Sequence, residues 1–173
     1  MIKVPLFALG AILFAFPSSA IASEIFGGVY KHNVDTPLSL GDGLEGGVDF
    51  QLGFRGGYII PGTKLQPHIF GALNSKGETN YAAAGLSWKF GEHHYVRPGV
   101  GIAIHDGATD KFDRSDRIAF GSRVLAQLEL GIGAKVSDRT SIEGSWVHMS
   151  HAQLFGGQNP GIDNFGARLN FKL

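Results

Sequence analysis

The sequence predicts an all-β chain: an eight-stranded antiparallel transmembrane β-barrel with a filled polar lumen. Three observations predict it. Apolar and polar residues alternate with a period of two in repeated segments of about eleven residues, the length of a tilted strand crossing a bilayer. The chain opens with Lys3, an apolar run from Val4 to Phe16, and the small-x-small pair Ala20 and Ala22, which reads as a cleaved export signal over residues 1–22. It closes on the alternating FGARLNFKL with an apolar last residue, as outer-membrane barrel chains commonly do. Residues 23–173 are then one barrel domain in the outer membrane.

The strands follow in order. The first lies near Ile25–His32. In the second, residues 44–55, one face reads Leu44, Gly46, Val48, Phe50, Leu52, Phe54 and the other Glu45, Gly47, Asp49, Gln51, Gly53, Arg55. The same contrast marks residues 64–74, 80–90, 95–105, 122–133 and 163–173, and a seventh strand runs near 140–152. Opposite the apolar faces stand Asp49, Arg55, Lys64, Gln66, Lys89, Arg97, Arg123, Gln127, Glu129, Arg168, Asn170 and Lys172. A membrane barrel turns the apolar face to lipid and the polar one inward. Eight strands enclose only enough room for side chains, and these charges are of both signs, so they are expected to pair rather than line a pore. A soluble periplasmic barrel is the competing arrangement. Pro67 and Pro98 each lack a ladder donor, and a rim position is expected for both. Longer connections fall at residues 34–43, 75–79, 106–119 and 153–162, which assigns them to the outside; short turns fall near Pro61-Gly62, at 91–94 and at 136–139.

Composition excludes several classes. Lys and Arg number 15 against 15 Asp and Glu, so no basic excess points to nucleic acid. There is no cysteine, hence no catalytic thiol and no cysteine metal site. The seven histidines are scattered apart from His93-His94, and no metal or organic cofactor is expected. The 26 glycines, roughly twice ordinary usage, are spread along the chain without a repeat.

One strand breaks the pattern. In the seventh, Ile142, Gly144 and Trp146 set the lipid-facing parity, and His148 and Ser150 continue it, while Val147 and Met149 point inward. Polar side chains on the hydrocarbon side are costly unless partnered. The eighth strand repeats the anomaly: Asp163 shares the parity of Phe165, Ala167, Leu169 and Phe171. Both anomalies fall at the outer ends of antiparallel neighbours. A histidine, a serine and a carboxylate are therefore expected to converge on the outside of the wall, the set used for nucleophilic acyl transfer.

His148-Met149-Ser150-His151-Ala152, followed by Asn159-Pro160-Gly161-Ile162-Asp163, resembles the lipid A 3-O-deacylase family of the PagL type. The resemblance is strongest from about Val100 through Phe120–Arg123 to the C-terminus and weaker over the first strands. It implies an outer-membrane serine esterase that removes the acyl chain ester-linked at position 3 of lipid A. It makes His148 the base, Ser150 the nucleophile, and Asp163 the acid at a position where the family often has glutamate. Asn159 matches an asparagine implicated in the oxyanion hole, and His151 stands where asparagine is common. Backbone N–H groups of Ala152 and Gln153 are further candidate oxyanion donors. The implied partners are lipid A within lipopolysaccharide and the outer-membrane lipids; the oligomeric state, a homodimer included, is left open.

Blander readings compete. His148 and Ser150 are also what a headgroup-wetted interface would carry. Trp88 and Trp146 fit aromatic belts. Lys111, Arg114 and Arg117 lie in a loop of mixed sign, either a solvated face or a contact for the glucosamine phosphates of lipid A. A non-enzymatic adhesive barrel and an outer-membrane phospholipase remain the alternative functions.

Overall fold

The structure is a computed structural model, and it describes residues 23–39, 44–110, 116–151 and 160–173. The expected export signal lies outside them. The strands are β1 (Glu24–Lys31), β2 (Val48–Arg55), β3 (Leu65–Asn74), β4 (Tyr81–Trp88), β5 (Phe90–Gly91), β6 (His94–His105), β7 (Val124–Lys135), β8 (Thr140–Ser150) and β9 (Ile162–Lys172). All pair antiparallel with their neighbours. The sheet closes because β1 pairs with both β2 and β9, and β4 pairs with β6.

Nine segments make eight wall strands. β4 and β5 are two parts of one strand in a single register against β6, with Ser87 opposite Gly99 and Phe90 opposite Val96. That register sets Pro98 opposite Trp88, where the missing N–H interrupts the ladder. Pro98 therefore sits inside the strand, across from this break, and not at the rim expected for it.

The period-two pattern is the wall. Phe50, Leu52, Ile69, Leu73, Val100, Ile102, Ile104, Ile132 and Leu169 are exposed on the outer face. Their alternates are buried in the lumen. A membrane barrel inverts the usual relation of apolarity and burial, because lipid takes the place of a core. Glycine supports the same geometry. A Cβ at Gly53 would overlap Phe26 and Phe70, and one at Gly166 would overlap Tyr30. In this narrow lumen the rings of Phe26, Phe70 and Tyr30 lie over cross-strand neighbours that have no side chain.

The lumen is polar in one half and apolar in the other. Near the short-turn end, Arg55, Arg97 and Arg168 are fully buried with Glu24, Glu129 and Glu143. Arg97 Nη1 lies 2.8 Å from Glu24 Oε2, and Arg168 Nη2 and Arg55 Nη2 lie 3.1 and 3.2 Å from the two oxygens of Glu129. Arg168 Nε is 3.1 Å from Glu143 Oε1. Such charges persist away from water only when paired. Towards the long-loop end, Phe70, Tyr81, Leu125, Val147, Met149 and Ile162 form an apolar cluster, joined by Ile118 and Phe120 from the β6–β7 connection. The expected paired charges are there, but three of the residues read as lumenal are not. Lys64 bonds Glu92 at a turn, Arg123 is exposed and donates to Gly107 O, and Lys172 is exposed. The strand period continues into rim residues without regard to whether the wall still faces lipid.

Candidate active site

The apolar outer half of the lumen explains the polarity switch in β8. Val147 and Met149 turn inward into that cluster, both fully buried. Strict alternation then leaves His148 and Ser150 on the lipid side. The β8–β9 ladder puts His148 directly across from Asp163, the last pair but one before the strands part. Ser150 stands two residues further along the same face.

The three side chains form one hydrogen-bonded line. His148 Nε2 is 2.9 Å from Ser150 Oγ, and His148 Nδ1 is 3.0 Å from Asp163 Oδ1. His148 is 6% exposed and Asp163 is fully buried, although both lie on the outer face of the wall. The cover comes from β8 itself and from the β1–β2 connection. Trp146, half-buried and with the same parity as His148, stacks on the imidazole at 5.8 Å between centroids. Its indole N–H donates to Asp163 Oδ1 at 2.6 Å. From the β1–β2 connection, the Thr36 hydroxyl donates to Asp163 Oδ2. The backbone of that connection is pinned alongside: Val34 N–H donates to Asp163 O at 2.7 Å, and Asn33 N–H to Asn164 Oδ1 at 2.9 Å. Neither Thr36 nor the second role of Trp146 was evident from sequence. Trp146 carried a usable signal, since it shares the i, i+2, i+4 face with His148 and Ser150. Thr36 carried none.

Gly161 completes the approach to β9. Its φ is +65°, and a Cβ there would stand 3.1 Å from Leu38 O and 3.2 Å from His148 Cε1. A glycine both permits the left-handed turn and lets the first connection lie against the imidazole.

Ala152, Gln153 and Asn159, the candidate oxyanion donors, and Lys111 and Arg114, the candidate phosphate contacts, fall outside the described residues. His151 is buried. Arg117 is described, and it is half-buried with its guanidinium donating to Gly77 O at 2.9 Å. With Glu78, Asp106 and Arg123 it lines a cavity of about 410 Å³. That cavity lies between the β3–β4 and β6–β7 connections, and none of its lining residues belongs to β8 or β9.

A second polar cluster caps the lumen at the base of the β1–β2 connection. His32 is buried with Nδ1 2.9 Å from Asp49 Oδ1 and Nε2 3.1 Å from Glu45 Oε2. Burial alone would lower its pKa, but the two carboxylates outweigh burial and raise it to about 9. The ring is therefore a cation bridging two acids. Glu45 also accepts from Thr79 N–H and Ile118 N–H, and Glu78, beside it, accepts from Gly46 N–H. Among the described residues His32, Glu45 and Glu78 are the group close enough to hold an ion. Their ligand atoms already have protein partners.

Residues 33–172 match the family described as "Lipid A 3-O-deacylase (PagL)". The chain belongs to this family. Among solved structures, it superimposes on the outer membrane enzyme PagL with a TM-score of 0.56 at 16% identity, covering 86% of this chain and 99% of that one. It superimposes on the N-terminal β-barrel domain of Pseudomonas aeruginosa OprF with a TM-score of 0.55 at 11% identity, covering 87% and 98%. For Neisserial surface protein A the TM-score is 0.54 at 10% identity, covering 87% and 97%. No curated protein matches in sequence. At these identities the superpositions show the shared outer-membrane barrel. The PagL-family match identifies the chain as a bacterial outer-membrane barrel, crossing the membrane by its strands.

Proposed function

We propose that this PagL-family protein is an outer-membrane serine esterase that hydrolyses the acyl ester at position 3 of lipid A. The observation that carries the reading is the His148 ring, whose two nitrogens face Ser150 Oγ and Asp163 Oδ1 on the lipid side of the wall. An acyl ester buried in the outer leaflet is presented to that side and never to the lumen.

The chemistry follows from the line of bonds. Asp163 holds the imidazole with Nδ1 protonated, so that Nε2 is the free base. Ser150 Oγ attacks the ester carbonyl as Nε2 takes its proton. The tetrahedral intermediate then expels the sugar alkoxide, which recovers that proton from the imidazolium. An acyl-serine remains, with a new Oγ–acyl bond in place of the sugar–acyl bond. Water, deprotonated by the same nitrogen, attacks the acyl-serine, releases the fatty acid and restores Ser150. No metal or organic cofactor enters these steps. Ala152, Gln153 and Asn159 are the donors assigned to the oxyanion, and Lys111, Arg114 and Arg117 to the phosphates of the substrate.

The test is turnover by the refolded barrel in detergent, offered lipid A and phospholipid separately, with products followed by mass spectrometry. Loss of one acyl chain from the 3-position of lipid A is expected. Fatty acid from phospholipid alone would make the protein a phospholipase, and turnover of neither would leave a structural or adhesive barrel.

A further inference from the structure

A buried carboxylate needs hydrogen-bond donors to hold its charge and its angle. Asp163 stands on a membrane-facing wall and is fully buried there. It is also one methylene shorter than glutamate. Its oxygens meet three side-chain donors from two parts of the chain: His148 Nδ1 and Trp146 Nε1 of β8 on Oδ1, and the Thr36 hydroxyl of the β1–β2 connection on Oδ2.

Each donor has a structural reason to be there. Trp146 precedes His148 by two in β8, so its ring lies along the same face and its N–H reaches diagonally across to β9. Thr36 is brought in by the β1–β2 connection, which Val34 and Asn33 tie to the first residues of β9. The Thr36 oxygen also accepts from Leu38 N–H at 3.0 Å, which fixes the hydroxyl's direction.

We propose that Thr36 and Trp146 are positioning residues: their donors hold the short carboxylate of Asp163 at the height where it orients His148. The proposal rests on the esterase reading above. It assigns the first external connection, far from the His-x-Ser motif in sequence, a part in the reaction. Both residues act through Asp163 and neither touches the reacting atoms. Donors on a buried carboxylate fix its angle, whereas a carboxylate free to rotate presents Oδ1 to the ring for only part of the time.

Kinetics on refolded variants test this, with lipid A as substrate and heat-resistant migration on gels as the check of folding. Thr36→Val and Trp146→Phe are expected to lower kcat roughly 10- to 100-fold each, with KM changed by less than about 2-fold. Thr36→Ser keeps the hydroxyl and is expected to recover most of kcat. Trp146→Phe keeps an aromatic ring on that face and removes the N–H donor together with part of the indole. In an Asp163→Asn background, the same two substitutions are expected to cost less than about 2-fold further, because the anionic acceptor is gone. Unchanged kcat in folded Thr36→Val and Trp146→Phe, or full additivity with Asp163→Asn, would overturn the positioning role while leaving the esterase reading intact. A second readout needs no turnover. In protein labelled with 15N-histidine, the His148 Nδ1 proton is expected as a sharp low-field signal that broadens in Thr36→Val and Trp146→Phe. If the wild type proves inactive on lipid A, the esterase reading fails, and a sharp signal in both variants would then overturn the positioning role too.

Discussion

His148 and Asp163 face one another across the β8–β9 ladder, with the ring nitrogen and carboxylate oxygen 3.0 Å apart on the outside of a membrane barrel. Backbone pairing alone brings the two Cβ atoms together. Side-chain contacts from Trp146 and Thr36 then determine how the carboxylate is turned.

Ser150→Ala removes the attacking oxygen and leaves the wall unchanged. Release of acyl chain from lipid A is expected to fall by more than about 1000-fold, with heat-resistant barrel migration on gels unaltered. Full activity in this variant would rule out Ser150 as the nucleophile.

Asp163→Asn leaves a neutral acceptor opposite His148 Nδ1. Activity is expected to fall, but roughly ten- to a hundredfold less than with Ser150→Ala, since Ser150 and His148 still face each other. The comparison is made on kcat under matched detergent conditions.

Gly161→Ala forces a side chain into a left-handed turn at +65° and against His148 and Leu38. The backbone conformation alone costs about 1–2 kcal/mol. Reduced activity with a small drop in the urea unfolding midpoint is expected. An active variant with unchanged stability would mean that the turn relaxes without moving the imidazole.

His32 sets a pH dependence of stability distinct from that of catalysis. Its pKa is raised to about 9 in the fold, from an ordinary 6.5, so its pairing with Asp49 and Glu45 contributes fully below about 6.5 and is lost as pH rises through about 9. Glu45 lies below its ordinary 4.5: burial would raise it, and the bonds from His32, Thr79 and Ile118 outweigh burial. Its contribution is present above about 4.5 and fades as pH falls through its folded value. The urea midpoint in detergent is therefore expected to decline on the alkaline side between about pH 7 and 10. His32→Gln should flatten that decline, and an identical alkaline slope in the variant would refute the assignment.

Glu129→Ala leaves Arg55 and Arg168 without the carboxylate they share. Breaking a buried pair on one side costs about 3–5 kcal/mol. Loss of heat-resistant migration at a lower temperature is expected, with the outer-face site intact in the protein that remains folded.

The amino-acid sequence by itself determined the wall. Alternation is a local property, so Phe50 against Gln51 or Leu128 against Glu129 is legible from two adjacent residues, and so is its reversal at Val147, His148, Met149 and Ser150. The meeting of His148 with Asp163 was legible too, because a hairpin joins their strands and antiparallel pairing leaves few registers open. The expectations that went astray, Lys64, Arg123 and Lys172 in the lumen and Pro98 at the rim, all concern where a strand ends or is interrupted, which parity does not mark. Only the tertiary structure decided what lies between distant segments. Thr36 reaches Asp163 across 127 positions of sequence, Arg97 reaches Glu24 across 73, and Ile118 and Phe120 fold in to close the apolar half of the lumen. Strand period fixes which way a side chain points, but closure of the barrel fixes which other side chains wait there, and no local pattern carries that information.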